Sequence, residues 1–535
     1  MERVVPVISR GVDAPAPARP AWSSLPDIPF YLAALGALAL QLRSCLRIEI
    51  PWADSSVYLE LARSLRDHGS YTFNYAPHVH FPPGLPAILA AVSAIFGDRY
   101  VVMLRLMPVF AFLGSLAVYH LVRIRAGRLI AAVNVLPVLL SPQMFEIATQ
   151  MVGSDLPYFC AGAAALLLAS HSERLTWWRA AVFALVLPAA LLIRPAGLSL
   201  VLALALWTAW EVVGKRALPR PLKLLLPALL ASVAVYAAWS LYVSAQPGAV
   251  NNYRLYLTLK YPSRPELGMA NGMDYVRRVW AAMPVQAALL DSVVFAADPP
   301  APTPASPAIW APWLLITLGF IAAARRHGMG LMEWYFLVYG GLLLLWPTDE
   351  GVRIMLPVLP LALYYACEGV KKLAPPPLAP GFLRPAKAAA ATLAVALALH
   401  AGARLREKAA GNAALKPESF RHTASVEAGR WLASHTPPDA VVMAEQVAIV
   451  YRASHRKIVA FPITGDPTLI LSLLRRDRVQ LLVVTASLPY NQPTEAERLK
   501  ALLEACPQCF TRVFAARGFQ AFRIEPAPPA APATP

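Results

Sequence analysis

Asp54 and Asp155 are the residues of this chain best placed to do chemistry. Asp54 lies just after the first apolar run, and Asp155, in GSDLP, just before a later one. Two carboxylates facing one cavity at a membrane surface can serve as a base and as an acceptor-orienting group or metal anchor. Both positions also suit helix N-caps, since each acid precedes a helical pattern and Pro157 follows Asp155 closely. An Asp can do both jobs. Arg194 and Arg353 stand at the ends of two further apolar runs. At a helix end an Arg can snorkel to the interface, avoiding the cost of about 2.5–3.5 kcal/mol at the hydrocarbon centre.

The elements that must carry these residues are membrane helices. The chain has 535 residues, 57% hydrophobic and only 15% charged, where an ordinary soluble domain is about one-quarter charged. Apolar stretches approaching the length of a bilayer span recur from Ile28 to Ala401. Candidate spans lie at 29–48, 101–122, 129–146, 155–170, 179–194, 196–213, 223–244, 310–324, 330–346, 353–370 and 386–402. The reading is an α-helical polytopic membrane protein of about eleven transmembrane helices. No cleavable signal peptide is evident, and the first apolar run serves as a membrane helix.

Charge sets the orientation. A net charge of +17 could indicate nucleic acid, but the Lys and Arg residues concentrate in alternate short gaps between apolar runs. Those gaps hold Arg123, Arg125 and Arg128; Arg174 and Arg179; Lys215, Arg216, Arg220 and Lys223; Arg325 and Arg326; Lys371, Lys372, Arg384 and Lys387. The positive-inside rule makes them cytoplasmic, with the N-terminus inside and everything after Arg404 outside. Outer gaps are then 49–100, 147–154, 245–309 and 347–352. In the first, Val57, Tyr58, Leu61 and Leu65 share a helical face opposite Glu60, Arg63 and Arg66, the pattern of an amphipathic helix lying in the interface.

Four regions follow. Residues 1–27 and 525–535 are Pro- and Ala-rich and read as disordered, 28–402 as the transmembrane catalytic domain, and 403–524 as a small extracytoplasmic α/β domain. In that last region the stretches HTPPDAVVMAEQ, RKIVAFPI and QLLVVTAS read as short strands, with helices around 418–434, 465–477 and 494–505. Cys506 and Cys509 form a CPQC, read as a local disulfide, while Cys45, Cys160 and Cys367 read as small core residues.

In order, the segments ADSSVYLELARSLRDHGSY, HVHFPPGLPAILA, GSDLPYF, LLIRPAGL and RIMLPVLPLALYYA resemble the GT-C glycosyltransferase superfamily. Within it they are most similar to the polyprenyl- or dolichyl-phosphate-mannose protein mannosyltransferases and the lipid A aminoarabinose transferases. The resemblance implies transfer of a sugar from a polyprenyl-phosphate donor to an acceptor hydroxyl on the extracytoplasmic face of the cell membrane, usually with inversion. Acceptors in such enzymes are lipid, glycan or protein, and some relatives use a divalent cation. Asp54 matches the first-loop acid, a base or acceptor-orienting residue, and Asp155 the second acidic position. Arg353 and Arg194 become candidates for the donor phosphate, because charge grows on that leaving group as the glycosidic bond breaks and guanidinium forks suit phosphate oxygens. Asp349 and Glu350 adjoin Arg353. HFPPG places His80 and Phe81 where some relatives have Glu-Lys, which argues against aminoarabinose as the donor sugar.

Tyr58 and His80 are candidates to line the sugar or acceptor site, although interfacial Tyr also serves as an anchor. His78 and His80, without a third ligand, read as loop structure rather than a metal site. Glu146 reads as structural, and Asp274, Tyr275, Arg277 and Arg278 as the solvated face of an outer helix. A secondary transporter or flippase is the rival reading. It would place ionisable groups near midplane, often in two related halves, whereas these acids sit at one face.

Overall fold

The computed structural model describes residues 27–47, 49, 52–170, 176–215, 220–247, 252–262, 267–297, 310–348, 350–373, 380–416, 422–485, 493–516 and 518–525. The N-terminal segment before Asp27, the last ten residues and Asp349 lie outside that set. Each of the eleven stretches read as spans overlaps one or two helices, from Ile28–Ser44 to Pro380–Ala414. Among the described residues three helices, Tyr100–Ala126, Pro195–Gly214 and Leu222–Ser244, are long and apolar enough to cross a membrane. A fourth joins them if Arg128–Leu139 and Pro142–Gln150, bent by 55°, form one span. Five shorter apolar helices stand beside them. The helix Pro380–Ala414 runs through the boundary drawn between 402 and 403.

Proline explains the interruptions. Pro142 removes a backbone donor, and Ser141 Oγ accepts from Met144 N at 3.0 Å to start the next helix. Pro195 pushes Arg194 out of the helical region, to φ −150° and ψ 136°, so the helix Trp177–Ile193 stops there. Around Pro357 the last-but-one stretch divides into Val352–Met355 and Leu359–Leu373. Glycine permits close packing elsewhere. A Cβ on Gly319 would fall on the Tyr365 carbonyl, and one on Gly369 on the Leu315 carbonyl, so the helices Trp310–His327 and Leu359–Leu373 approach backbone to backbone.

A short ribbon, β1 (Thr72–Phe73) with β2 (Ala76–Pro77), crosses the first polar loop. The C-terminal residues form a mixed sheet of β3 (Val441–Ala444), β4 (Lys457–Ala460), β5 (Leu481–Thr485), β6 (Phe510–Ala515) and β7 (Phe519–Ile524), in the order β4-β3-β5-β7-β6. β4, β3 and β5 run parallel, while β7 is antiparallel to β5 and β6. Side chains alternate between faces. Val442 and Val483 pack under helices Thr423–His435 and Val447–Ser454, whereas Met443 and Leu482 pack under Pro467–Arg476 and Glu495–Ala505. β6, β7 and the helix Val447–Ser454 lie outside the stretches read as strands and helices above. Cys506 and Cys509 are joined in a disulfide.

This sheet layer docks on the first loop, which corrects the interfacial-helix reading. The helix Ala53–His68 does not present Glu60 to water: Glu60 is only 6% exposed and is paired with Arg452 of the helix Val447–Ser454. Arg452 also binds Glu49 through Nη2 at 3.1 Å. Asn74 extends the contact as a strand would, donating to Ile458 O at 2.6 Å and accepting from Ile458 N at 2.8 Å. Tyr75 donates to His455 O at 2.7 Å. The Arg452→Ala variant leaves Glu60 with Arg63 alone, at 3.4 Å. Hydrogen exchange in β4 is expected to rise about tenfold, the effect of losing about 1.5 kcal/mol of charged hydrogen bonding.

Asp274 is likewise not on a solvated face. It is buried at 6% exposure and closes a capping box with Asn271. Tyr275 and Arg278 both donate to Leu257 O, at 3.1 and 2.9 Å, fastening the helix Gly272–Val294 to the segment before it.

Candidate active site at the mouth of an apolar cavity

Four residues far apart in the sequence form one ion-paired set. Arg353 donates from Nη2 to Asp54 Oδ2 at 2.6 Å and from Nε to Asp155 Oδ2 at 3.3 Å. Arg194 donates from Nη1 to the other oxygen of Asp155. Glu350 stands 3.8 Å from Arg353 Nη1. The four principal charges cancel, which lets them persist away from bulk water.

Local backbone aims each side chain. The extended conformation before Pro195 turns Arg194 off its helix axis. Gly351, at φ 65°, makes the left-handed turn that starts the four-residue helix carrying Arg353. Asp54 and Asp155 occupy the first turns of their helices, where the positive end of the helix dipole favours a carboxylate. No side chain caps the helix Ala53–His68, and both Asp155 oxygens are given to arginines.

The two acids differ in accessibility. Asp155 is 1% exposed with both oxygens engaged, whereas the Asp54 side chain is 36% exposed. Asp54 is thus the carboxylate an incoming molecule meets, and Asp155 holds the two guanidinium groups in place.

Arg194 also lines a cavity of about 1030 Å³ that runs between helices Leu198–Lys215, Arg220–Ser244 and Leu331–Leu345. Its walls are chiefly apolar, including Leu202, Val235, Leu342 and Trp346. At the arginine end stand His80 and Tyr253, stacked with centroids 4.7 Å apart. His80 Nδ1 is buried with no hydrogen-bond partner among the described residues. Burial lowers the His80 pKa, against the opposing pull of Asp54, and lowers His78 to about 3. Both rings are neutral at pH 7, so the arginines supply the positive charge.

Tyr58, read above as a candidate to line the sugar or acceptor site, is not among the residues that line this cavity. It is 3% exposed, donates to Ser154 Oγ at 2.9 Å and stacks on Phe81 at 4.7 Å. That contact ties Tyr58 to the turn before Asp155 and uses the proton of its hydroxyl. His78 accepts from Phe81 N at 3.0 Å, and Tyr71 donates to Phe81 O at 2.8 Å, so both hold the loop that presents His80. Glu146 pairs with Lys408 and stays structural.

Residues 80–242 match the dolichyl-phosphate-mannose-protein mannosyltransferase family. No curated protein sequence matches the chain. Among solved structures, the archaeal oligosaccharyltransferase AglB from Archaeoglobus fulgidus, in complex with an inhibitory peptide and a dolichol-phosphate, superposes with a TM-score of 0.52. It is 12% identical over 86% of this chain and 69% of its own. The Archaeoglobus fulgidus oligosaccharyltransferase in complex with Zn and sulfate gives 0.55, at 14% identity over 84% of this chain and 67% of that one. The chain shares the fold of these oligosaccharyltransferases. ArnT from Cupriavidus metallidurans, bound to undecaprenyl phosphate, aligns over 93% of this chain and 98% of its own at 13% identity, with a TM-score of 0.46.

Within this fold two of the segments that carry the sequence resemblance are packing devices. A Cβ on Gly84 of HFPPG would lie 2.6 Å from Leu192 C and 2.7 Å from Ile193 N; one on Gly197 of RPAG would lie 2.6 Å from Leu191 Cα. These glycines let two backbones meet beside Arg194. Gly84→Ala is expected to cost about 1–3 kcal/mol, because backbone cannot rotate away as a side chain can; thermal unfolding in detergent measures it. Tyr253 was invisible to motif reading. Its only signal was the pair Tyr253 and Tyr256 at helical spacing in the gap 245–309.

Proposed function

We propose that this chain is a membrane glycosyltransferase that moves a sugar from a polyprenyl-phosphate donor to an acceptor hydroxyl at the face carrying Asp54. One observation carries the reading: an exposed carboxylate and two guanidinium groups form one ion-paired set, and one of those guanidinium groups, Arg194, lines a largely apolar cavity. That shape suits an amphiphile with an anionic head. AglB, which shares the fold, was solved with a dolichol-phosphate, a ligand of that shape.

In the proposed reaction the acceptor hydroxyl attacks the anomeric carbon. Its proton passes to Asp54, the new C–O bond forms, and the C1–O bond to phosphate breaks with its electron pair staying on the polyprenyl phosphate. Arg353 and Arg194 stabilise the charge growing there. Asp155 anchors both arginines and touches neither substrate. His80 and Tyr253 form an aromatic wall beside Arg194, and the unpartnered Nδ1 offers a hydrogen bond to a sugar hydroxyl. Phe81 in place of a Lys, beside a neutral His80 in place of a Glu, favours a neutral sugar over aminoarabinose. The C-terminal sheet layer docks on the loop that carries Asp54, so the proposal puts both on the extracytoplasmic side.

The test is a set of labelled polyprenyl-phosphate sugars given to the purified protein in lipid, with mass spectrometry of lipid, glycan and protein products. A new glycosidic product with release of polyprenyl phosphate is expected. Solute flux in proteoliposomes with no covalent product would replace this reading with the transporter.

A further inference from the structure

A second cavity, of about 500 Å³, lies toward the other end of the helix Asp155–Ser170 that carries the buried acid. It opens where Tyr100–Ala126, Asp155–Ser170 and Trp177–Ile193 meet, and its polar groups are His120, Arg123 and Arg179. Leu167, Leu168 and Trp178 supply much of the remaining wall. Leu168 and Asp155 are thirteen positions apart on one helix, about 20 Å by the helical rise, so this cavity and the acid–arginine set lie near opposite faces of the bundle.

Among the described residues its charge is not balanced from within. Arg123 Nη2 pairs with Asp27 Oδ2 at 3.0 Å, but that carboxylate also takes Arg128 Nε at 3.2 Å and the Tyr119 hydroxyl at 2.7 Å. Arg179 lies over the Trp178 ring at 5.3 Å and meets no carboxylate among the described residues. Trp177 and Trp178 are 79% and 49% exposed, placed as an aromatic belt at a membrane boundary. Positive groups set in an aliphatic and aromatic wall, at the end whose gaps are rich in arginine, have a natural counter-ion in the adjoining leaflet.

We infer that this cavity binds the phosphate head and upper acyl chain of one anionic phospholipid, in the leaflet opposite the proposed transfer site. The phosphate lies between Arg123 and Arg179, and an acyl chain follows Leu167 and Leu168 outward. A free phosphate would gain nothing from that apolar wall. Each arginine is expected to favour an anionic over a zwitterionic lipid by about fivefold.

The experiment is native mass spectrometry of the intact protein released from nanodiscs of equimolar phosphatidylglycerol and phosphatidylcholine. The wild-type chain is expected to retain one phosphatidylglycerol with about 25-fold preference, and Arg179→Gln to lower that preference about fivefold. Arg179 is the lead variant because it breaks no ion pair among the described residues. Arg326→Gln, which alters an exposed cation paired with Glu368 at 3.7 Å, serves as the control and should leave the preference unchanged. Equal retention of the two lipids, an unaltered preference in Arg179→Gln, or an equal loss in Arg326→Gln would each overturn the site. Displacement of the lipid by millimolar inorganic phosphate would overturn the lipid assignment.

Discussion

Asp54→Asn is expected to lower sugar transfer by about 10²- to 10⁴-fold, the range that a positioned general base contributes. The amide keeps the shape and can still accept from Arg353 Nη2, so the fold and the cavity should survive. What disappears is the ability to take the acceptor proton. Because Asp54 is the exposed acid of the pair, the loss should appear in turnover while donor binding changes little. A donor titration beside single-turnover product formation separates the two. Wild-type turnover by Asp54→Asn in purified membranes would remove this residue from the mechanism.

Arg353→Ala should produce the second large effect, through the leaving group. Removing one preorganised donor to a developing oxyanion commonly costs about 10²- to 10³-fold in rate. This arginine also ties Asp54 to Asp155, so its loss frees Asp54, leaves Asp155 with Arg194 alone and turns a balanced set into a net negative one. Donor affinity should fall more than acceptor affinity. Arg353→Lys should recover only part of the loss, since an ammonium cannot give separate donors to Asp54 and Asp155 with the fork geometry seen here. An unchanged donor titration in Arg353→Ala would show that the phosphate binds elsewhere. Arg194 calls for a different expectation: its partner Asp155 is 1% exposed, and removing Arg194 leaves that buried carboxylate with one ion-pair partner, so folding should suffer along with activity.

The helices were legible because membrane burial demands nearly continuous apolar residues, and that signal needs no knowledge of neighbours. Their breaks were less so: Pro142 and Pro357 sit inside stretches that hydropathy alone reads as unbroken. In the sheet layer, β3 and β5 announce themselves as runs of Val and Leu. β6 and β7 carry Arg512, Arg523 and Gln520 among their apolar residues, which hides a half-exposed antiparallel pair.

Asp54, Asp155, Arg194 and Arg353 could each be picked out from residue type and position at a span end, because a charge beside an apolar run is conspicuous. Which of them touch could not be read. The contacts Arg353–Asp54 and Arg353–Asp155 join residues 299 and 198 positions apart, and no local pattern encodes such distances. Helical periodicity put Glu60 on a polar face, correctly. It could not say that this face would meet Arg452 rather than water. Periodicity likewise put Tyr58 on the apolar face without showing that Ser154 would claim its hydroxyl. Composition and charge spacing therefore determined that the chain is built from membrane helices and where its ionisable residues cluster along them, since transfer from water to lipid acts on each segment separately. The division of labour between an exposed and a buried acid, and the seating of His80 and Tyr253 against the arginine, were decided by tertiary packing, because burial and pairing belong to the assembled neighbours and not to any one stretch.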